Sequence, residues 1–330
     1  MSELLDLLVV GAGPTGISIG AEARKAGLNV LLVDRGPLTA AIQGYPTFME
    51  FFTTRDRLEI AGIPFTIPDA KPTRRQALTY YRFVAESYGI PLALYEEVLE
   101  TRKEADGTFS VATRRLRDGA SRVLRARSVA LATGYFFNPR RLGVEGEDLP
   151  WVSTRYTEPH PYYGQEVVVI GAGNTAAEAA LDLWRSGVRV TLVHRGGGLK
   201  PGVKYWLKPD VENRIEEGSI PARFHTTVRA FRNDGVHVEG PGGAEVLPAD
   251  AAFVLVGYTP DADLERRCGV EVDPETLVPS VDPETCESNV PGLYVAGTLQ
   301  AGRWTDRIFI ENSRDHGPRI VAHLKPRLRG

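Results

Sequence analysis

Two glycine-rich turns, at residues 11–16 and 171–176, contain the residue pattern in this sequence that is best suited to chemistry. The first reads "GAGPTG" and the second "GAGNTA". In such a turn the first glycine permits a tight bend, the second lets the backbone approach a phosphate, and the third lets helix and strand pack closely. Gly11, Gly13 and Gly16 hold these positions in the first turn, and Ala176 replaces the third glycine in the second. Each turn therefore predicts a site for a pyrophosphate group.

Each turn lies between a strand and a helix, which is the context that makes the motif specific. Apolar runs precede the turns, "LLDLLVV" and "QEVVVI", and helical periodicity follows them in "ISIGAEARKAG" and "AAEAALDLWRSG". Second strands come next, "LNVLLVD" and "VRVTLVH". A helix N-terminus offers unpaired N–H groups and a partial positive charge to phosphates. Because the whole strand–turn–helix–strand unit occurs twice, the sequence predicts two dinucleotide sites.

The residue that closes the second strand distinguishes the two sites. Asp34 closes it in the first unit and His194, followed by Arg195, closes it in the other, each 23 residues after the first glycine of its turn. Further cations follow at Lys200 and Lys204. A carboxylate suits a ribose 2′-hydroxyl, whereas cations suit a 2′-phosphate. We therefore predict two different dinucleotides, with hydride transfer between them as the economical explanation.

The order of elements predicts an α/β fold of two Rossmann-like three-layer domains, one inserted into the other. After the first turn come a helix capped by Thr73, a β-meander with turns at "ADGT" and "RDGA", and the return strand "SVALATG". A second meander and return strand, "AAFVLVGYTP", follow the second turn, and the chain then reaches "GLYVAGT" and one final helix through "IFIENSRDHGPRIVAHL". We predict a discontinuous domain over 1–155 and 287–330, and an inserted domain over 156–286.

The composition is that of an ordinary globular protein. The 330 residues are 42% hydrophobic and 25% charged, with a net charge of −3. No apolar stretch reaches the roughly 18 residues of a membrane span, and the N-terminus lacks the basic region of a signal peptide. Two cysteines exclude a disulfide scaffold, and no short Cys/His cluster has metal-ligand spacing. We expect a cytoplasmic protein with no metal site and no membrane association.

Arginines cluster around the hairpin signal "RDGAS" between residues 114 and 127. Strand alternation directs most of these side chains to water. We interpret the cluster as a solvated face and expect no nucleic-acid partner.

Together, these motifs resemble those of the low-molecular-weight thioredoxin-reductase-like flavoproteins, over essentially the whole chain. In that family FAD lies in the discontinuous domain and NADPH in the inserted one. The segments "FFTTRDRLEIAGIPF", "VKYWLKPDVENRI" and "FIENSRDHG" are similar to the bacillithiol-disulfide reductase (YpdA) family, whose members use NADPH to reduce oxidised bacillithiol. The resemblance implies an NADPH-dependent, FAD-containing disulfide oxidoreductase acting on a small molecule. We expect a homodimer or homotetramer.

The resemblance also implies the cofactor-binding residues. Those expected at FAD are Gly11, Gly13, Pro14, Thr15, Gly16, Asp34, Arg35, Gln43, Thr133, Gly134, Gly297 and Thr298. Those expected at NADPH are Gly171, Gly173, Asn174, Thr175, Ala176, His194, Arg195 and Lys200.

Three residues are candidates for catalysis. Thr15 lies in the first turn, His316 carries an imidazole that titrates near neutral pH, and Tyr205 belongs to "KYWLKPD", which can act as a lid over the nicotinamide. For His316 a structural role in a core or at a helix end stays open. For Tyr205 packing against the inserted domain stays open.

The sequence departs from these families at its cysteines. It has no Cys-x-x-Cys pair, and Thr15 stands where the bacillithiol family commonly has a cysteine; Thr298 stands where the wider superfamily usually has an aspartate. Cys268 and Cys286 are 18 residues apart and lie elsewhere in the chain. A threonine hydroxyl forms hydrogen bonds but no mixed disulfide. The departure predicts direct electron delivery from reduced flavin to the acceptor, with no covalent enzyme–thiol intermediate.

Two other functions stay open at this point. A ferredoxin- or flavodoxin-NADP reductase-like diaphorase also lacks the cysteine pair, and a non-catalytic flavin-binding redox sensor needs none. The segment "KYWLKPDVENRI" favours the disulfide reductase over the diaphorase, and two complete nucleotide turns argue against a sensor.

Overall fold

The computed structural model describes residues 4–328. Its strands are β1 (Leu4–Val10), β2 (Val30–Asp34), β3 (Leu92–Leu94), β4 (Glu96–Lys103), β5 (Phe109–Arg115), β6 (Ser121–Leu131), β7 (Val152–Ser153), β8 (Glu166–Ile170), β9 (Arg189–Val193), β10 (Ala222–Arg223), β11 (Thr227–Arg232), β12 (Gly235–Gly240), β13 (Gly243–Leu247), β14 (Ala251–Val254) and β15 (Leu293–Val295). Its α-helices are α1 (Pro14–Lys25), α2 (Ala40–Gln43), α3 (Arg74–Ser87), α4 (Asn174–Arg185), α5 (Lys208–Glu216), α6 (Ala262–Arg267), α7 (Ile310–Ser313) and α8 (His316–Arg327).

The chain divides into two compact units, and their limits differ from the predicted ones. Within the described chain, residues 4–138 and 258–328 form the first unit and Pro139–Gly257 the second. The predicted limits, 155/156 and 286/287, differ from these limits at residues 139–155 and 258–286. The first of these segments contains β7, which pairs with β14 in the sheet of the second unit. The other contains α6, which packs on β4 and places Leu264 in a core of the first unit.

The first unit is built on a seven-stranded sheet of order β3-β2-β1-β6-β5-β4, with β15 paired to β6. Strands β1, β2, β3, β6 and β15 are parallel, and β4, β5 and β6 form an antiparallel meander. Alternate residues of β1 enter two different cores: Leu7 and Val9 face one and Leu8 and Val10 the other. The predicted capping residue is confirmed, because the Thr73 side chain accepts a hydrogen bond from the Gln76 amide at the start of α3.

The second unit repeats this plan with a five-stranded parallel sheet of order β10-β9-β8-β14-β7. Val167 and Val169 of β8 face one core, whereas Val168 and Ile170 face another. The first core is covered by α4, and the second is covered by the antiparallel strands β11, β12 and β13. The predicted α/β class with Rossmann-like parallel sheets is confirmed.

The last predicted helix is two helices, α7 and α8, interrupted at Arg314 and Asp315. Proline has no N–H, so in a continuous helix Pro318 would leave the Arg314 carbonyl without its partner four residues on. The Ser18 hydroxyl donates to that carbonyl instead, at 3.2 Å. The chain therefore starts a new helix at His316, where a proline in the first turn is tolerated. The prediction of one helix was wrong for this reason.

The arginine cluster lies on β5 and β6, where its members pair with carboxylates. Arg122 binds Glu96 through two hydrogen bonds of 2.7 Å, and Arg114 pairs with Glu97 at 2.7 Å. These pairs occupy a half-exposed face of the meander. No helix in the described part of the chain combines the length and the apolar character needed to cross a membrane.

Candidate functional site

A cleft in the first unit, here called the first cleft, opens at the carboxyl ends of β1, β2 and β6. Ten of the twelve residues predicted at FAD line it: Gly11, Gly13, Pro14, Thr15, Asp34, Arg35, Thr133, Gly134, Gly297 and Thr298. Of the other two, Gly16 is buried in α1, and Gln43 is exposed at the end of α2. Its neighbours Ala40, Ala41 and Ile42 line the cleft instead.

The first turn is tightly packed at Gly11 and Gly16 and open at Gly13. A Cβ on Gly11 would lie 2.4 Å from the Ala132 carbonyl oxygen, and its φ of +112° also requires glycine. A Cβ on Gly16 would lie 1.9 Å from the Gly11 carbonyl oxygen. Nothing lies within 4 Å of the corresponding position on Gly13. Gly11 and Gly16 thus serve packing, while Gly13 leaves space in front of the helix.

The helix behind that space begins without a cap. Gly13 supplies no side chain to accept from the first N–H groups of α1, and the first turn of α1 contains no acidic residue. Helix α3 shows the contrast, since Thr73 and Gln76 form a complete capping box there. The start of α1 therefore leaves N–H donors and a positive dipole end available to an anion.

Asp34 organises the turn in addition to facing the cleft. Its Oδ2 accepts the Ala12 amide and its Oδ1 the Gly36 amide, each at 2.7 Å. A carboxylate has about four acceptor positions, so both oxygens keep capacity for a ribose hydroxyl. The open space at Gly13, the uncapped helix and this carboxylate together fit a dinucleotide without a 2′-phosphate, as FAD is.

Thr15 meets residues from the far end of the chain. Its Oγ1 lies 3.4 Å from Ser313 Oγ and 2.9 Å from the position of a Cβ on Gly297. Ser313 Oγ donates to the Phe309 carbonyl at 2.7 Å, so Thr15 is the donor toward Ser313. Thr15 and Ser313 thus present two neighbouring hydroxyl groups to the cleft. Ser313 belongs to the segment "FIENSRDHG" but was not among the predicted site residues.

His316 lies behind the wall of the first cleft and hydrogen-bonds to it. Its side chain is only 7% exposed, and its Nδ1 accepts the Gly297 amide at 3.0 Å. Burial, with a smaller contribution from Arg319, lowers the pKa of His316 to about 4. The ring is therefore neutral near pH 7 and carries its proton on Nε2. This geometry favours positioning of Gly297 over acid–base catalysis.

Aromatic side chains form a further part of the cleft that the sequence analysis missed. The rings of Tyr45 and Phe136 meet edge to face at 5.0 Å, and Phe136 stacks on Tyr258 at 5.3 Å. Burial raises the pKa of Tyr45, and it raises the pKa of Tyr135 to about 12. These phenols stay protonated. The aromatic run after "ATG" was a usable signal, whereas Tyr45 lies too far away in sequence to give one.

The second turn, in the second unit, repeats the geometry of the first. A Cβ on Gly171, whose φ is +137°, would lie 2.3 Å from the Leu255 carbonyl oxygen, and one on Gly173 would meet nothing within 4 Å. Helix α4 also starts without a side-chain cap or a first-turn acidic residue. Ala176 is buried against Gly171, and Thr175 is exposed at the start of α4. The open space and free donors fit a second pyrophosphate.

Asn174 ties the following loop to this turn. Its Nδ2 donates to the Gly202 carbonyl at 3.1 Å, and its Oδ1 accepts the Lys204 amide at 2.9 Å. The Lys200 amide donates to the Ala172 carbonyl at 2.9 Å. Asn174 therefore positions the cationic loop, a role that the sequence did not reveal.

The predicted cations converge after β9. Burial lowers the pKa of His194, and the charges of Lys200 and Arg195 lower it further, which places all three groups near one another. Within residues 4–328, no carboxylate forms an ion pair with Arg195 or Lys200. These side chains are exposed. Unneutralised cations in one place fit a phosphate.

Tyr205, the third catalytic candidate, is 83% exposed in the loop before α5 and meets the Trp206 ring edge to face at 4.8 Å. It is not packed into the second unit. A lid role stays a prediction.

The chain is similar to known proteins over nearly its whole length. The sequence profile of the pyridine nucleotide-disulphide oxidoreductases matches residues 8–297. The bacilliredoxin reductase Bdr of Bacillus subtilis is 36% identical over 97% of both chains. Two solved structures are also similar, the bacillithiol disulfide reductases Bdr (YpdA) of Bacillus cereus and Staphylococcus aureus. The first has a TM-score of 0.95 and 34% identity, covering 98% of this chain and 100% of its own. The second has a TM-score of 0.92 and 33% identity, covering 99% of both chains.

Proposed function

The chain belongs to the pyridine nucleotide-disulphide oxidoreductase family, and on this premise we propose that it reduces bacillithiol disulfide with NADPH through FAD. The family resemblance stated from the sequence is confirmed. In the overall reaction one NADPH and one proton convert one disulfide into two thiols, breaking the S–S bond and forming two S–H bonds. When bound, FAD would supply the redox chemistry that links hydride transfer from NADPH to reduction of the acceptor.

The observation that carries the proposal has two parts. Both helices that follow the glycine turns begin without a cap, and the strand after each helix leads to a carboxylate in the first unit and to cations in the second. Gly13 and Asp34 in the first unit would hold the pyrophosphate and a ribose of FAD. Gly173 and the cations after β9 would hold the pyrophosphate and the 2′-phosphate of NADPH. The protein thus orients both cofactors, and His316 fixes the Gly297 amide at the wall of the first cleft.

The small disulfide as acceptor rests on relatives named as reductases of bacillithiol disulfide or bacilliredoxin, which are 33–36% identical over nearly the whole chain. A steady-state comparison tests it: bacillithiol disulfide, ferredoxin and oxygen are offered separately, and NADPH oxidation is followed. We expect bacillithiol disulfide to be the fastest acceptor. Faster turnover with ferredoxin would contradict the proposal and favour the diaphorase.

We further propose that no cysteine of this enzyme takes part. Cys268 and Cys286 are buried, at 4% and 1% exposure, and burial raises the pKa of both thiols. A buried, protonated thiol is a poor nucleophile. Thr15, with Ser313, would then contribute hydrogen bonds at the first cleft and no mixed disulfide.

Thr15→Cys tests that assignment from the opposite side. If the native enzyme reduces bacillithiol disulfide well and the variant gains little, direct electron delivery is supported. If the native rate is feeble and Thr15→Cys raises it strongly, the acceptor of this chain is a different one.

A homodimer or homotetramer in the cytoplasm completes the proposal. Sedimentation of the purified protein checks the oligomeric state, and a monomer at working concentration contradicts it.

A further inference from the structure

His225 lies beside the predicted 2′-phosphate residues, although no motif in the sequence points to it. It follows β10, which runs parallel to β9, so the residues after both strands emerge at the same edge of the sheet. The His194 amide donates to the Arg223 carbonyl at 2.9 Å, and the Thr226 amide donates to the His194 carbonyl at 3.1 Å. His225 is thus held next to His194 by backbone hydrogen bonds on both sides of it.

The backbone of His225 is in a conformation that few side chains adopt. Its φ is +53°, in the left-handed region, and its amide donates to the Gly196 carbonyl at 2.9 Å. Histidine and asparagine are enriched there, but the conformation is still strained for a residue that has a Cβ. Strained residues of this kind cluster at ligand sites.

The glycines after Arg195 explain where the two imidazoles lie. A Cβ on Gly196 would be 2.8 Å from Nε2 of His194, and a Cβ on Gly197 would be 2.8 Å from Nε2 of His225. Both rings therefore pack against a backbone that has no side chains of its own. Because the glycines of the loop "RGGG" carry no side chains, two imidazoles can lie against its backbone, close to Arg195.

Among the described residues, a carboxylate neutralises a neighbouring arginine but none of the basic groups around this loop. Nearby, Arg223 is neutralised by Glu245 through hydrogen bonds of 3.0 and 3.1 Å. Within the described chain, none of the His194, Arg195, Lys200 and His225 side chains forms an ion pair with a carboxylate. Four basic groups around one short loop form a site for a multiply charged anion.

We propose that His225 is a further specificity residue for the 2′-phosphate of the nicotinamide cofactor, acting with His194, Arg195 and Lys200. The inference rests on the proposed use of NADPH. It predicts that His225 contributes to the binding of nucleotides that carry a 2′-phosphate and contributes nothing to those that lack it.

The test compares the binding of 2′,5′-ADP and 5′-AMP to the flavin-loaded protein by titration calorimetry. His225→Asn keeps a residue that tolerates the left-handed backbone and removes the imidazole. Gly197→Ala displaces the ring in a second way, through the new Cβ. His160→Asn is the matched control, because His160 is an exposed histidine of the same unit that precedes β8, at the opposite edge of the sheet.

We expect wild type and His160→Asn to bind 2′,5′-ADP more tightly than 5′-AMP. His225→Asn should weaken 2′,5′-ADP about tenfold and leave 5′-AMP unchanged, as the loss of one charge-assisted hydrogen bond predicts. Gly197→Ala should act in the same direction.

Three outcomes overturn the proposal, and they differ from one another. If wild type discriminates and His225→Asn behaves like His160→Asn, His225 has no part in recognition. If His225→Asn weakens both ligands equally, the residue supports the loop and does not recognise the phosphate. If wild type does not discriminate at all, the proposed NADPH preference itself fails.

Discussion

The two glycine turns have the same backbone geometry, and they differ in the side chains that lie at the end of the strand after each turn. In both, the amide of the first glycine donates to a carbonyl near the end of the next strand, Gly11 to that of Val33 in β2 at 2.8 Å and Gly171 to that of Val193 in β9 at 2.9 Å. The first turn is then closed by a carboxylate that accepts two amides, whereas the second is followed by exposed, unneutralised cations. The shared part fits the pyrophosphate, and the different part selects the dinucleotide.

The surroundings also differ in a way that suits permanent and exchangeable cofactors. The first turn lies in a cleft walled by aromatic rings and by the Gly297 amide that His316 holds. At the second turn, the side chains of Thr175, Arg195 and Lys200, which are predicted to bind NADPH, are exposed. We therefore expect FAD to stay bound through purification and NADPH to exchange at each turnover.

We expect the largest effect when a Cβ is added to a glycine that is tightly packed, and a different effect when it is added to a glycine that faces the predicted phosphate. Gly16→Ala places a Cβ 1.9 Å from the Gly11 carbonyl oxygen and should cost about 3 kcal/mol or more of unfolding free energy, with loss of flavin. The new Cβ of Gly13→Ala would have no atom within 4 Å, so this variant should fold normally but bind FAD weakly. Thermal melts and flavin content measure both.

Gly173→Ala is the counterpart in the second turn, and it should keep FAD and lose NADPH. If Gly13→Ala and Gly173→Ala had the same effect on both cofactors, the two turns would not be separate sites.

The acid sensitivity of the first cleft should follow His316. Its folded pKa of about 4 lies below the ordinary value of 6.5, so the unfolded chain binds the proton more readily between these values. The stabilisation is complete above about pH 6.5 and is lost as the pH falls toward 4, amounting to about 3 kcal/mol.

His316→Asn keeps an acceptor for the Gly297 amide without an ionisable ring. It should flatten the dependence of the melting temperature on pH in this range, and flavin release should move to lower pH. An unchanged dependence assigns the acid sensitivity to another group.

The selection of the second cofactor should depend on Arg195. Loss of one charge-assisted contact costs about 1.5–3 kcal/mol, so Arg195→Ala should raise KM for NADPH about tenfold or more. The KM for NADH, which has no 2′-phosphate, should change little. Equal changes in both constants contradict a 2′-phosphate role.

The smallest expected effect concerns the cysteines. Cys268→Ala combined with Cys286→Ala should leave turnover nearly unchanged and cost about 1 kcal/mol of stability per residue. Thiol alkylation of the folded enzyme should also leave activity intact. Abolished turnover in a folded double variant places a thiol in the mechanism.

The sequence predicted the parts of the site that local pattern determines. Asp34 and His194 were recognised as candidates because each follows its turn by a fixed distance, at or directly after the end of a strand, and Thr73 because a cap lies next to its helix. Parts made by distant segments were missed. Ser313 lies 298 residues from Thr15, and the partners of Asn174 lie 28 and 30 residues away, so no periodic signal links them.

The limits of the compact units differ from the predicted domain limits for a related physical reason. The two-residue strand β7 and the six-residue helix α6 are too short to show a period, and their assignment follows from pairing and packing. Only the tertiary structure supplies that information.

Anaerobic reduction of the bound flavin by NADPH and by NADH tests the central claim most directly. The claim is that the first turn retains FAD and the second presents a nucleotide selected by its 2′-phosphate. In a stopped-flow experiment the yellow protein, which should release FAD on denaturation, is mixed with each nucleotide, and the visible flavin absorbance is followed. We expect NADPH to bleach the flavin fully and much faster than NADH does at equal concentration. Protein that cannot be loaded with FAD, or bleaching at the same rate by both nucleotides, would contradict the account.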